Sequence, residues 1–219
     1  MTEDVDLAAA AGFVEPRVSA EFPGLRLVWI SVPSRRHASP RAVVNRLRAL
    51  SNRYRGASVV AMRTQPIPSA YRTFFRQIGL DPDVTRIPSE HAAVIRLLHG
   101  QFRSSNLIDD ALLIGLIETG VPIWALDADR VDPGGLGIRT SVSGDHLGST
   151  EFGDHLVPGR LVVADAASVH ALLFDEVAPG HGASASTERI VLFAVGVDGV
   201  PAIHIEEALW VCVEALGAA

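Results

Sequence analysis

Between residues 86 and 127 the chain carries a sparse set of polar side chains in apolar surroundings: Arg86, Glu90, Arg103, Asn106, Asp110 and Asp127. Asp110 stands immediately before Ala111 to Ile117, a run with no polar side chain. A carboxylate in that place has two uses. It can pair with Arg103 or Arg86 and fix the start of a buried helix. It can also floor a pocket and hold an ammonium group, while an arginine takes a carboxyl or phosphate through a bidentate hydrogen bond. Trp124, opening the next apolar stretch, can pack in the core or present its ring face to a ligand.

A second group of residues could act on phosphate. Residues 31–80 contain ten arginines (35, 36, 41, 46, 48, 53, 55, 63, 72 and 76) and no aspartate or glutamate. Arg41, Arg46, Arg48, Arg53, Arg55, Arg72 and Arg76 lie beside apolar helical stripes, which sets them facing outward. Such a patch suits an RNA backbone. It equally suits a solvated face whose guanidinium groups pair with acids of the same protein. Those acids are present: residues 1–100 hold 14 Arg against 8 acids (+6), and residues 101–219 hold 5 Arg against 17 acids (−12). The total of −6 excludes a general nucleic-acid coat protein. The opposite halves leave a homodimer open. Lysine is absent, so Schiff-base chemistry on lysine is excluded.

Other chemistries leave no trace. There is no Walker loop and no dinucleotide-binding glycine motif; Gly180-His181-Gly182 precedes a strand, which is the wrong context. There is no nucleophile elbow. The eight histidines show no metal-ligand spacing, so neither a metal nor a cofactor is expected. Asp145-His146-Leu147 and Asp154-His155-Leu156 form a near-repeat in glycine-rich sequence, which reads as surface turns more readily than as a four-ligand site. Cys212 is the only cysteine and reads as a small buried apolar residue. The acidic start Met1 to Asp6 is unlike a secretory signal, and no apolar stretch is long enough for a membrane span. These features lead to the expectation of a cytoplasmic protein.

The elements that must position these residues follow from period and punctuation. Residues 1–14 read as a flexible leader, and 15–219 as one domain. Residues 24–32 read as a strand. Ser39-Pro40 opens a helix with Val43, Val44, Leu47, Leu50 and Tyr54 on one face. Ala57 to Met62 reads as a short strand. Helices capped by Ser69, Ser89 and Ser105 follow, the last apolar all round and therefore buried. Strands then read at 122–126, 137–142, 160–164, 168–174 and 189–197, with a final helix from Pro201. Helices first and strands later give an α+β fold rather than a doubly wound sheet.

The order of several short motifs resembles the B3/B4 domain of the bacterial phenylalanyl-tRNA synthetase beta subunit, and in particular free-standing proteins carrying that domain alone. They are Phe22-Pro23-Gly24-Leu25, Ala70-Tyr71-Arg72, Arg86 with Ser89-Glu90, Arg103 through Asn106 and Asp110, and Gly120-Val121-Pro122-Ile123-Trp124-Ala125-Leu126-Asp127. Pro158-Gly159, Leu161 to Asp165 and Thr187 continue the series. The resemblance implies a three-layer mixed sandwich, a β sandwich with flanking helices. It implies a module that binds tRNA or aminoacyl-tRNA and hydrolyses a mischarged ester. Three pocket positions depart from the family pattern: Trp124 in place of histidine, Leu113 in place of asparagine and Phe193 in place of glutamate. A pocket so altered is poorly equipped to activate water. The alternatives are a small-molecule, amino-acid-like binding protein without RNA, or a non-catalytic partner subunit.

Overall fold

The computed structural model describes residues 8–34, 37–54, 56–148 and 154–217. Among them the order is β1 (Ala10–Ala11), β2 (Phe13–Val14), α1 (Pro16–Glu21), β3 (Arg26–Pro33), α2 (Arg41–Arg53), α3 (Gly56–Met62), α4 (Pro66–Gln77), α5 (Pro88–His99) and α6 (Leu107–Thr119). Then come β4 (Ile123–Asp127), β5 (Gly137–Thr140), β6 (His146–Leu147), β7 (Asp154–His155), β8 (Leu161–Ala164), β9 (Val169–Leu172), β10 (Arg189–Gly196) and α7 (Ala202–Gly217). The fold is α+β, as the segregation of helices and strands predicts.

Two sheets form, in the orders β1-β3-β10-β4 and β2-β5-β8-β9-β6-β7. β10 organises the first. Its sequence, Arg-Ile-Val-Leu-Phe-Ala-Val-Gly, is apolar after the first residue, and every residue after Arg189 is buried. Successive side chains point to opposite faces, so a strand buried throughout is covered on both. Antiparallel β3 and β4 flank it, with Phe193 opposite both Trp29 and Trp124. Helices α6 and α7 pack on this sheet, while α4 and the second sheet close the main core. Tyr71 of α4 pins that core by donating its hydroxyl to Val195 O at 2.7 Å.

α6 is apolar all round because it is covered on more than one side. Ile108 joins the main core, and Leu107, Ala111, Ile114 and Ile117 pack with Val43, Leu47 and Leu50 of α2. At Gly115 the approach is closest: a Cβ there would meet Cys212 Sγ and Ile123 Cδ1 at 2.6 Å. Gly120, at φ 77°, ends the helix in the left-handed region and turns the chain into β4.

Several expectations need correction. Residues 10–14 are no leader: β1 pairs with β3 and β2 with β5, so this segment joins both sheets. Residues 57–62 belong to helix α3, which packs on α5 with Met62 buried. The initial serines are not the caps. α2 begins from Pro40, α4 from Gln65, α5 from Ile87 and α6 from Asn106. The Asp-His-Leu near-repeat forms the paired strands β6 and β7, β7 being the edge of the second sheet, with His146 opposite His155. Among the described residues no helix is long and apolar enough to cross a membrane.

Candidate functional site

The start of α6 is built from its own polar sequence. Asn106 has extended backbone and caps the helix, its Oδ1 accepting from Asp109 N–H at 3.1 Å. Its Nδ2 donates to Asp109 Oδ2 at 2.5 Å. Asp110 is 1% exposed. Its carboxylate accepts from Ser39 Oγ and Ser104 Oγ, both at 2.5 Å, and from Ser105 N–H at 2.9 Å. The expected pairing with Arg103 or Arg86 does not form. Both arginines are exposed, and hydroxyls, a backbone amide and the positive end of α6 balance the charge instead. Asp110 therefore ties the segment before α2 to α6, as does Leu107 N–H donating to His37 O at 2.8 Å.

Trp124, on β4, faces this helix start. One face of its indole stacks on Phe193, with centroids 5.4 Å apart and planes at 13°. Its Nε1 donates to Asp175 O at 3.0 Å. Phe174 packs against the same ring and against Tyr71, Phe74 and Phe75. Phe174 is also the one non-glycine residue at positive φ among those described, at 63°. The four aromatic contacts hold a backbone conformation that is costly for a bulky side chain. From Phe174 the chain runs as a strap, residues 175–183, across the space between β4 and β9.

Helix start, indole and strap enclose a cavity of about 210 Å³, lined by Asn106, Asp109, Leu112, Trp124, Val177 and Ala183 among others. Asn106 and Trp124 thus share one hollow. Asp109, in the first turn of α6, joins them. Trp124 is at once core and platform. Leu113 turns to the α2 side of α6, away from this hollow, and Phe193 lies buried behind the indole. A larger hollow, about 370 Å³, lies at the opposite end of α6.

The remaining candidates lie elsewhere. Asp127 caps a short turn through Asp129 N–H and accepts from Thr187 Oγ1 at 2.6 Å. Glu90 is buried in an ion pair: Arg72 Nη1 donates to its two oxygens at 2.9 and 3.0 Å, and Nη2 donates to Asp83 at 2.8 Å. Arg72 therefore faces α5 and not solvent, because a buried carboxylate needs a charged partner. Arg46 stays partly exposed but is likewise paired within the protein. Its Nε and Nη2 each reach Glu118 of α6 at 2.8 Å, and Nη1 reaches Glu214 of α7. Arg41, Arg48, Arg53 and Arg76 are exposed; Arg55 lies outside the described residues. The arginine segment is thus divided between internal pairing and an outward face.

Sequence reasoning missed one buried polar chain altogether. His170 is fully buried on β9, and its Nδ1 lies 2.7 Å from Nδ1 of His181 in the strap. Its Nε2 is 2.9 Å from Asp165 Oδ2, off the line of an ideal hydrogen bond. Burial alone would raise the Asp165 carboxyl. N–H groups of Asp132, Ala167 and Ser168, together with the His170 ring, outweigh it and hold it below the ordinary value. Burial, with His170 beside it and Arg130 nearby, holds His181 below the usual histidine value. Of two imidazoles facing through Nδ1, one donates and the other accepts, and this hydrogen bond latches the strap to β9. Histidines eleven residues apart across a glycine-rich turn give no periodic signal. Among the described residues no group of three or more metal-binding side chains converges. No protein-family model matches the chain, and no curated protein matches it.

Proposed function

We propose that this chain is a small-molecule binding module whose ligand is an amino acid, or an aminoacyl group, with an apolar side chain. The cavity between the α6 start and Trp124 carries the reading. Its walls, Leu112, Ile108, Val177 and the indole, suit an apolar side chain. Its polar edge is the Asp109 carboxylate beside the Asn106 amide, which suits an ammonium group. Among the described residues the one titratable side chain lining it is Asp109, whose carboxylate accepts from Asn106 Nδ2 and in this reading holds the ammonium rather than activating water. The resemblance to the B3/B4 domain supports the same choice of ligand, since that domain handles aminoacyl groups.

A second reading keeps the aminoacyl group on tRNA. Arg41, Arg48 and Arg53 lie exposed along α2, whose preceding segment Ser39 fastens to the α6 start. Calorimetric titration separates the two. Leucine amide and phenylalanine amide should bind, and their N-acetyl forms, which lack the ammonium, should bind at least about tenfold more weakly. Equal affinity for the acetylated forms, or no binding of either amide, refutes the small-molecule reading. Aminoacyl-tRNA affinity that falls steeply with salt, in the absence of amide binding, establishes the RNA reading instead.

A further inference from the structure

α6 ends beside the second hollow. The cavity of about 370 Å³ opens between Tyr54 after α2, Met62 of α3, Ile67 in the first turn of α4 and Ile117 and Glu118 of α6. It shares no lining residue with the Trp124 cavity. Its size falls within the range of about 300–1,000 Å³ common to small-molecule sites.

The body of this cavity is apolar. Met62 and Pro68 are buried in its wall, and prolines 66, 68 and 201 contribute no backbone N–H. The Tyr54 hydroxyl is already committed to Ile117 O at 3.1 Å, so Tyr54 offers its ring.

The polar edge is biased toward negative charge. α6 stops here with no basic residue in its last turn; the Gly115, Leu116 and Ile117 carbonyls accept from Thr119 Oγ1, Gly120 N–H and the Tyr54 hydroxyl, and Glu118 and Thr119, which line the cavity, stand at the helix's negative end. Glu118 stands on the rim, and its partner Arg46 is shared with Glu214, so these three groups sum to −1. His204, also on the wall, is held by Glu207 at 2.8 Å. Ser89 lines the cavity too. It is 3% exposed, and its Oγ is buried with no hydrogen-bond partner among the described residues. A buried hydroxyl without a partner is unfavourable unless something bound there supplies one.

We propose that this cavity binds a small primary amine on a compact apolar body. The ammonium sits at the carbonyl end of α6 beside Glu118, and the body lies between Tyr54, Met62 and Ile67. An ammonium has three donors, which leaves one for Ser89 Oγ. An anion of the same shape would meet Glu118 and the helix end unfavourably.

Benzylamine, benzyl alcohol and benzoate titrated into the full chain, followed by amide NMR shifts, test this directly. Benzylamine should give saturable shifts at Ser89, Ile117 and Gly120 at millimolar concentrations. Benzyl alcohol should bind about tenfold more weakly and benzoate not at all. Met62→Trp, which fills the cavity, should abolish the shifts; should it fail to fold, Ile67→Trp fills it from the other wall. Ser89→Ala should weaken benzylamine about fivefold without lowering the melting temperature. Benzoate binding as well as benzylamine overturns the proposal, as does no saturable shift or shifts that survive the filling variant. So does a Ser89→Ala variant that melts lower yet binds benzylamine normally, because that hydroxyl then serves the fold through an ordered water only.

Discussion

Asp110→Ala should destabilise the chain by about 3 kcal/mol, because this carboxylate joins two parts of the fold with no cation partner among the described residues. Three donors converge on it, the Ser39 and Ser104 hydroxyls and Ser105 N–H. Hydrogen bonds to a charged acceptor are worth about 1.5–3 kcal/mol each. Ser39 is only half-buried and Ser104 and Ser105 are exposed, so the freed donors return to water and a value below that range, about 1 kcal/mol net each, applies. The helix N-terminus adds about 0.5 kcal/mol. For a chain of this length the loss lowers the melting temperature by about 6–12 °C. Asp110→Asn keeps one acceptor and should lose about half as much, and Ser39→Ala about 1 kcal/mol. Chemical denaturation with a two-state fit, checked by thermal melts, measures all three. A loss below about 1 kcal/mol for Asp110→Ala refutes the reasoning. An Asp110→Asn loss equal to that of Asp110→Ala also refutes it, since the acceptor that Asn retains would then contribute nothing.

Three further outcomes follow from the same contacts. Arg72→Ala leaves the Glu90 carboxylate, which is 3% exposed, with only Arg63 Nε at 4.0 Å, and should cost about 3 kcal/mol in urea unfolding; the double variant Arg72→Met, Glu90→Leu should recover part of that loss, and a double variant worse than the single contradicts the ion-pair account. Burial pushes the Cys212 thiol up to about 12, so iodoacetamide should label it only as fast as the chain unfolds, and rapid labelling of the native protein would place it outside the core. The Arg139 guanidinium, 2.6 Å from Asp145, holds that carboxyl below its ordinary value, and Thr140 N–H and hydroxyl do the same for Glu15. A carboxyl depressed in the folded state stabilises above its unfolded pKa, about 4, and that stabilisation is lost as pH falls through the folded value. The melting temperature should therefore fall between about pH 5 and 2, less steeply in Asp145→Asn; identical acid limbs would contradict the assignment.

Much of the architecture was legible because single residues carry decisive local signals. The unbroken apolar run of β10 announces a strand covered on both faces, and Gly120 marks where α6 must stop. The run Val59-Val60-Ala61-Met62 misled because a short β-branched segment fits a strand or a helix equally, and only its packing on α5 decides. The site was half legible. Asn106 and Trp124 belong together because the α6–β4 connection is short and buried. Asp110 was correctly read as a polar group at a buried helix start, but its partners are serines, one of them 71 residues away. Arg72 and Arg46 illustrate a general limit: helical period assigns a side chain to a face, but not what another helix brings to that face. Glu90 and Glu118 lie on other helices, and the His170–His181 latch joins a strand to a loop. Such pairings depend on tertiary placement and leave no mark on local spacing.

The emission of Trp124 tests the central claim most directly. In a chain carrying Trp29→Phe and Trp210→Phe, Trp124 is the only tryptophan left, and its indole lines the α6–β4 cavity. Leucine amide should shift that emission saturably, and Asp109→Asn should weaken the response about tenfold by removing the charge that holds the ammonium. Emission that stays constant through the titration, or that responds equally to N-acetyl-leucine amide, would contradict an amino-acid-like ligand in this cavity.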